Sequence, residues 1–222
     1  ARGRQRQAEA HVDYMLSTMT DRQLADAGFS PGRVARIRAA APQITIMVVA
    51  SNALSDLHRR EADIAIRHAR PDRPGLVGQH ICDTAAHFYA SDDWIARNGM
   101  PAGPADLARD DLICFEDAET FAGYLKGIGI PVEAAGFRLA SDSAVAIWEM
   151  VRRGLGIGGM LREVADRTPG VRRVAPGLPP IPVPVWLVTH RELEQSPRIR
   201  LVQAILAEEL SRFQRHEPAA GS

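Results

Sequence analysis

From residue 44 onward, short apolar runs alternate with longer stretches in which apolar residues recur every three or four positions. The short runs predict strands, and the longer periodic stretches predict helices. Their alternation predicts an α/β fold with a mostly parallel sheet. Strands are expected at 44–49, 63–66, 76–83, 86–90, 112–115, 132–139, 156–160, 171–174 and 183–188. Helices are expected at 54–60, 93–98, 143–153, 162–166 and 199–215, with a single turn at 104–108. The closing helix shows the period well: Ile199, Val202, Ile205, Leu206, Leu210 and Phe213 share one side, and Arg200, Glu208, Glu209 and Arg212 lie mainly opposite. Residues 1–40 are polar and helical in character, with no β-branched run to make a strand. The Pro-rich run 176–184 cannot sit in a central strand and is expected to be a connection.

Two places on this framework carry candidate chemistry. Ile64-Ala65-Ile66 is too short for a helix and suits a buried strand, and Arg67 and His68 emerge at its carboxyl end, where doubly wound sheets place their ligands. Ser141, Asp142 and Ser143 precede the helix expected at 143–153, where hydroxyls and free backbone N–H groups can hold an anion or simply cap the helix. Asp142 weighs against an anion, because it adds negative charge at the same spot.

Enzymatic constellations fail on context. The run from Gly154 to Gly159 satisfies Gly-x-Gly-x-x-Gly, but a helix precedes it and a strand follows, the reverse of a dinucleotide site. Gly154 therefore reads as a helix C-cap, and the later glycines as a close-packed strand. His80, Cys82 and His87 lack a fourth ligand at zinc spacing. No Gly-x-Ser-x-Gly elbow or Cys–His pair with a third group is present. The paired acids Asp92-Asp93, Asp110-Asp111 and Glu116-Asp117 fall at helix starts or loop tips, where they favour the helix dipole. No enzyme, cofactor or metal is expected.

Composition narrows the class further. The chain has 222 residues, 45% hydrophobic and 24% charged, enough for one or two domains with a proper core. Its formal net charge is +0, so no overall field draws it to nucleic acid or to a membrane. Cys82 and Cys114 are the only cysteines, too few for a disulfide scaffold, which implies a reduced, cytoplasmic setting. The longest apolar stretches, 44–50 and 183–188, fall far short of the ~20 residues of a membrane helix. The polar start shows no targeting signal.

Several weak motifs, in order, resemble one family. Glu61-Ala62-Asp63-Ile64-Ala65-Ile66-Arg67 followed by Pro74-Gly75-Leu76-Val77 is similar to the effector-binding domain of LysR-type transcriptional regulators. Phe88-Tyr89-Ala90-Ser91, Asn98-Gly99-Met100-Pro101, Ser141-Asp142-Ser143, Val151-Arg152-Arg153-Gly154-Leu155-Gly156-Ile157 and Val185-Trp186-Leu187-Val188-Thr189-His190 follow at the family's spacing, over about residues 41–213. The resemblance implies two Rossmann-like subdomains of the periplasmic-binding-protein type II kind, with a small-molecule effector between them. It orders them as 41–81 plus 185–213 and 82–184, after a helical segment 1–40 and before a disordered tail 214–222. It also implies that Arg67 and His68 face Ser141, Asp142 and Ser143, where an arginine fork suits an organic anion. Residues 16–34 resemble a second, small family, the YjiS-like arginine-rich domain.

The match also has departures. A complete regulator of this family carries a winged helix-turn-helix and a linker helix, and neither is legible in residues 1–40. The effector domain's usual opening strand is missing from the sequence as well, which suggests a truncated or rearranged chain. With seven arginines against four acids, residues 1–41 read as a solvated helical hairpin that could touch DNA. The expected activity is thus effector binding, with a homodimer or tetramer formed through the α/β domain and no membrane contact. DNA contact is expected only if residues 1–40 or a region upstream supply it. A solute-binding protein of the same fold and an inactive truncated remnant are the alternatives.

Overall fold

The computed structural model describes residues 31–47, 62–108 and 111–212. The expected helix 54–60, Asp110, Phe213, the tail 214–222 and most of the YjiS-like run lie outside the described residues. In chain order the elements are α1 (Pro31–Ala40), β1 (Ile64–Arg67), β2 (Leu76–Ser91), α2 (Asp92–Asn98), α3 (Pro104–Leu107), β3 (Cys114–Phe115) and α4 (Ala118–Gly127). They continue as β4 (Ala140–Ser141), α5 (Ala144–Arg152), β5 (Gly158–Leu161), α6 (Arg162–Ala165), β6 (Val171–Arg173), β7 (Ile181–His190) and α7 (Pro197–Ser211). The chain divides into two compact units. One is Thr84–Pro182, and the other takes the chain up to Asp83 and again from Val183.

In the first-mentioned unit the strand period of two builds two cores. Phe88 and Ala90 of β2 pack with Trp94, Leu107, Leu112, Leu125 and Ile157. Tyr89, on the opposite face, packs with Ile113, Ile147, Trp148 and Val151. Trp94 and Trp148 are 2% and 1% exposed, and each large apolar side chain buried this way stabilises by about 1.5–3 kcal/mol. Here β2 pairs antiparallel with both β5 and β6, so that Tyr89 sits opposite Gly158 on one side and Arg173 on the other.

The other unit is built on α1, β1, β7 and α7. β1 pairs antiparallel with β7, from Ile64 opposite Thr189 to Arg67 opposite Trp186. Ile37, Cys82, Val185, Leu187, Ile205, Leu206 and Leu210 form its core. Arg36 of α1 bonds Glu208 at 2.7 Å and also Glu209, tying α1 to α7. The closing helix was expected to hold Glu209 on its solvated face. Glu209 is instead buried, because Arg36 and Arg212 neutralise it there.

Several other expectations change. β3 pairs parallel with β4 and Leu112 bridges parallel to Ile157, whereas β1 with β7, β2 with β5 and β2 with β6 all pair antiparallel. The long strands β2 and β7 cross from one unit to the other and recruit short antiparallel neighbours. Residues 44–47 form no strand. The strand expected at 132–139 is a 3-10 turn at Ala134–Gly136 leading into β4. β7 begins at Ile181, so Pro182 and Pro184 lie inside a strand. Both precede the stretch paired with β1, so their missing N–H groups cost that ladder nothing.

The glycine run behaves as a packing device. Gly154, at φ 70, ends α5 in a Schellman arrangement: its N–H donates to the Val151 carbonyl at 3.0 Å, and the Leu155 N–H donates to that of Met150 at 3.0 Å. A Cβ on Gly156 would collide with the Asp111 carbonyl oxygen, and one on Gly158 would lie 2.7 Å from Val151 Cγ2. Gly156→Ala is therefore expected to destabilise by roughly 2–4 kcal/mol in urea unfolding, and Gly159→Ala, with open space at its Cβ, by far less. Equal costs at the two positions would show that close approach does not constrain this strand.

A buried polar cluster lies in the same unit. The Thr84 hydroxyl lies 2.6 and 2.7 Å from the two carboxylate oxygens of Glu163. Burial pushes the Tyr89 hydroxyl up to about 12. Burial, with Arg173 and Arg162 nearby, lowers the His87 pKa below its ordinary value. Protonated His87 is thus disfavoured in the folded state, so its contribution is full above about pH 6.5 and is lost as pH falls toward the lowered value. Urea midpoints are expected to drop between about pH 7.5 and pH 5, and the drop to shrink in His87→Gln. An unchanged drop would assign the acid sensitivity to other groups.

Candidate functional site

The carboxyl edge of the parallel β3–β4 pair carries Glu116, Asp117, Ser141, Asp142 and Ser143 within Thr84–Pro182. Cys114 pairs with Ala140 and Phe115 with Ser141, so both strands end at the same edge. The chain leaves β3 through Glu116, whose φ of 62 turns it sharply into Asp117. The Glu116 N–H donates to the Ser141 carbonyl at 3.0 Å, which fastens the two exits together.

Asp117 caps α4 by accepting from the Thr120 N–H at 2.8 Å and from its hydroxyl at 2.8 Å. Those bonds hold its carboxyl below the usual carboxylate range. Ser143 caps α5 and accepts from the Ala146 N–H at 3.3 Å. The Ser141 hydroxyl accepts from the Ser143 N–H at 3.1 Å. Asp142 is exposed between them. Ser141, Asp142 and Ser143 therefore form one structural unit, and both hydroxyls cap the chain. Each oxygen takes a backbone N–H and keeps its own proton to donate.

Helix α5 behind them is amphipathic in the required sense. Ile147, Trp148 and Val151 are buried on one side, and Glu149 bonds Arg152 at 3.0 Å and Arg153 at 2.7 Å on the other. The buried side fixes the axis of the helix, and so the position of its capped end.

Arg67 and His68 belong to the other unit. Arg67 is the last residue of β1, half-buried opposite Trp186. His68 Nδ1 lies 3.3 Å from the Pro184 carbonyl oxygen, which requires the Nδ1–H tautomer. Desolvation first, and then the Arg67 charge, lower the His68 pKa, with the Pro184 bond acting the other way. A neutral imidazole beside a permanent cation gives this strand end one charge at neutral pH rather than two.

Sequence patterning missed the part played by Glu116 and Asp117. They stood out only as a pair of acids at a helix start, and no local signal announces the left-handed turn at Glu116. Among the described residues no group of three or more His, Cys, Asp or Glu side chains could hold a metal ion. His80 instead packs edge-on against Trp186 with ring centroids 5.0 Å apart, while Cys82 is buried. No described helix is long and apolar enough to cross a membrane.

Comparison with known proteins gives this geometry a family. A family model described as the LysR substrate binding domain matches residues 23–211. The chain is 26% identical over 131 residues to an uncharacterized HTH-type transcriptional regulator of Haemophilus influenzae, covering 57% of this chain and 44% of that protein. It is 30% identical over 76 residues to the HTH-type transcriptional regulator CrgA of Neisseria meningitidis, covering 34% of this chain and 25% of that one. It thus spans less than half the length of these curated relatives. Among solved structures, the CrgA regulatory domain aligns with a TM-score of 0.68 at 21% identity, over 81% of this chain and 90% of that one. The effector domain of AmpR from Pseudomonas aeruginosa aligns at 0.62 and 18% identity, over 82% and 88%. The fold is therefore that of LysR regulatory domains, mixed α/β and like the type II periplasmic binding proteins. With the family model covering most of its length, the chain belongs to the LysR substrate binding domain family.

Proposed function

We propose that the chain is the effector-binding part of a cytoplasmic LysR-type transcriptional regulator, that its effector is a small organic anion, and that it assembles as a homodimer or tetramer. DNA contact in such a regulator would come from residues 1–40 or from a region upstream. The relatives are named as transcriptional regulators, which favours regulation over catalysis. The observation that carries the ligand class is the pair of serine caps. Because Ser141 and Ser143 each accept from a backbone N–H, their hydroxyl protons are left to donate, and a carboxylate has the oxygens to accept both. The N-terminal end of α5 adds a partial positive charge of the right sign. Asp142 would turn away ligands that place their negative charge beside it. Arg67 and His68 are a separate expectation for contact with the anion, open to their own substitutions.

Thermal unfolding against a panel of small organic acids, sugars and amino acids tests this reading. An acid at about 100 times its dissociation constant should add about 2.7 kcal/mol, worth several degrees. Ser143→Ala should cost about 1 kcal/mol without ligand, as a lost cap does, and should also shrink the ligand-induced shift. Arg67→Gln should shrink the shift too. If no acid moves the transition, or if the serine variants respond as strongly as the parent, the anion reading is wrong.

A further inference from the structure

We propose that a crevice in the unit Thr84–Pro182, between the C-terminal end of α4 and the segment 173–182, binds a small carboxylate with a flat apolar body, held by Arg173 and by the ring of Tyr124. It lies away from the serine caps: it takes the end of α4 at Tyr124 and Ile128, whereas Asp117 at the start of that helix faces the capped edge. Phe88, Leu178 and Pro179 are among the apolar residues that line it. Tyr124 is 46% exposed, an aromatic face that no described neighbour covers fully. Prolines and an aromatic ring present flat, rigid apolar surface, which favours a planar ligand body over a flexible chain.

The charge at the rim gives the ligand its anionic end. Arg173 Nη2 donates to the carbonyls of Pro176 at 3.3 Å and Leu178 at 3.1 Å, so the guanidinium is fixed in place before any ligand arrives. Among the described residues it makes no ion pair, and its Nε and Nη1 donors have no protein acceptor. Glu163 is already bonded to Thr84 and lies 3.5 Å from Arg162. The next arginine, Arg172, is paired with Asp92 at 2.7 Å. Arg173 thus differs from its neighbours in having no carboxylate of its own.

Two further features shape the rim. His87 lines the crevice and is held neutral by burial and by the cation beside it, so it can bond a ligand without adding a second charge. Ala175 holds a φ of 49, a conformation a residue with a side chain rarely adopts, and its N–H donates to the Pro101 carbonyl at 2.9 Å. The Leu178 N–H donates to the Ala175 carbonyl at 3.0 Å, so that turn carries the chain into the part of the segment that lines the crevice.

Isothermal titration of the full chain with phenylacetate, and with the uncharged phenylacetamide as control, tests the proposal. A ligand of about ten non-hydrogen atoms should bind with millimolar affinity. Arg173→Gln should weaken phenylacetate at least about tenfold, and Tyr124→Ala should weaken it as well. Ser143→Ala should weaken phenylacetate less than Arg173→Gln does, which separates the crevice from the serine-capped edge. Near-ultraviolet dichroism of each variant checks that it is folded. The proposal is overturned if phenylacetate does not bind, if phenylacetamide binds equally well, or if Ser143→Ala removes the binding while Arg173→Gln does not.

Discussion

The close approach of Gly156 to the Asp111 carbonyl is the constraint on which the unit Thr84–Pro182 depends. The Ile157 N–H donates to Asp111 at 2.9 Å, and the Ile113 N–H donates to Ile157 at 2.8 Å, which seats the start of β5 beside the segment leading to β3. On one side of this seam Gly154 turns the chain out of α5. On the other, Gly158 leaves room for Ile147 and Val151, so that α5 lies down on β5. The helix is capped at Ser143, two residues after β4 ends, and so the two serine hydroxyls lie at the edge where Glu116 and Asp117 leave β3. The glycines that imitate a nucleotide fingerprint are thus responsible for where the capped edge sits.

How much of this could be read from the sequence depends on the range of the interaction. The start of α5, its Gly154 stop and the packed glycines after it are local chemistry, and the sequence pattern placed them correctly. The capping role of Ser143 was legible for the same reason, as one of two readings. Contacts between distant segments were not. Nothing near Glu209 says that Arg36, on a helix far away in sequence, will neutralise it and let it be buried. The pattern split β2 in two at Thr84-Ala85, yet one continuous strand crosses between the units and can expose one part and bury the next. Left-handed turns at Glu116 and Ala175 carry no glycine to announce them. The crevice beside Arg173 depends on one of those turns, so it was invisible in the sequence.

The family match beginning at residue 23 brings α1 inside the domain, and the packing agrees. Ile37 belongs to the same core as Ile205, Leu206 and Leu210 of α7, and Arg36 bridges to Glu208 and Glu209 of that helix. An exposed ion pair alone contributes little, roughly 0–1 kcal/mol. The arrangement matters more because Glu209 is buried: without Arg36 and Arg212 an uncompensated carboxylate would remain in the interface. The hydrophobic contact holds the helices together, and the charges fix which faces meet.

At the serine-capped edge the attractive and repulsive terms are of similar size, and this bears on what it can recognise. The end of α5 and each hydroxyl favour a carboxylate, the helix end by roughly 0.3–1 kcal/mol where it is exposed. Glu116, Asp117 and Asp142 stand at the same edge, and a like charge about 4 Å away in water costs about 1 kcal/mol. Asp117 stays ionised well into the acid range because Thr120 bonds it from two groups, so its field persists at neutral pH. A bare anion therefore gains little there by charge alone. An anion whose acceptors meet the two hydroxyls, and whose remaining charge points away from the acids, collects the hydrogen bonds without the repulsion. The hydroxyls are already fixed as caps, so ordering them costs such a ligand nothing. Under the proposed function, selectivity at this edge rests on the shape and charge placement of the ligand rather than on its net charge.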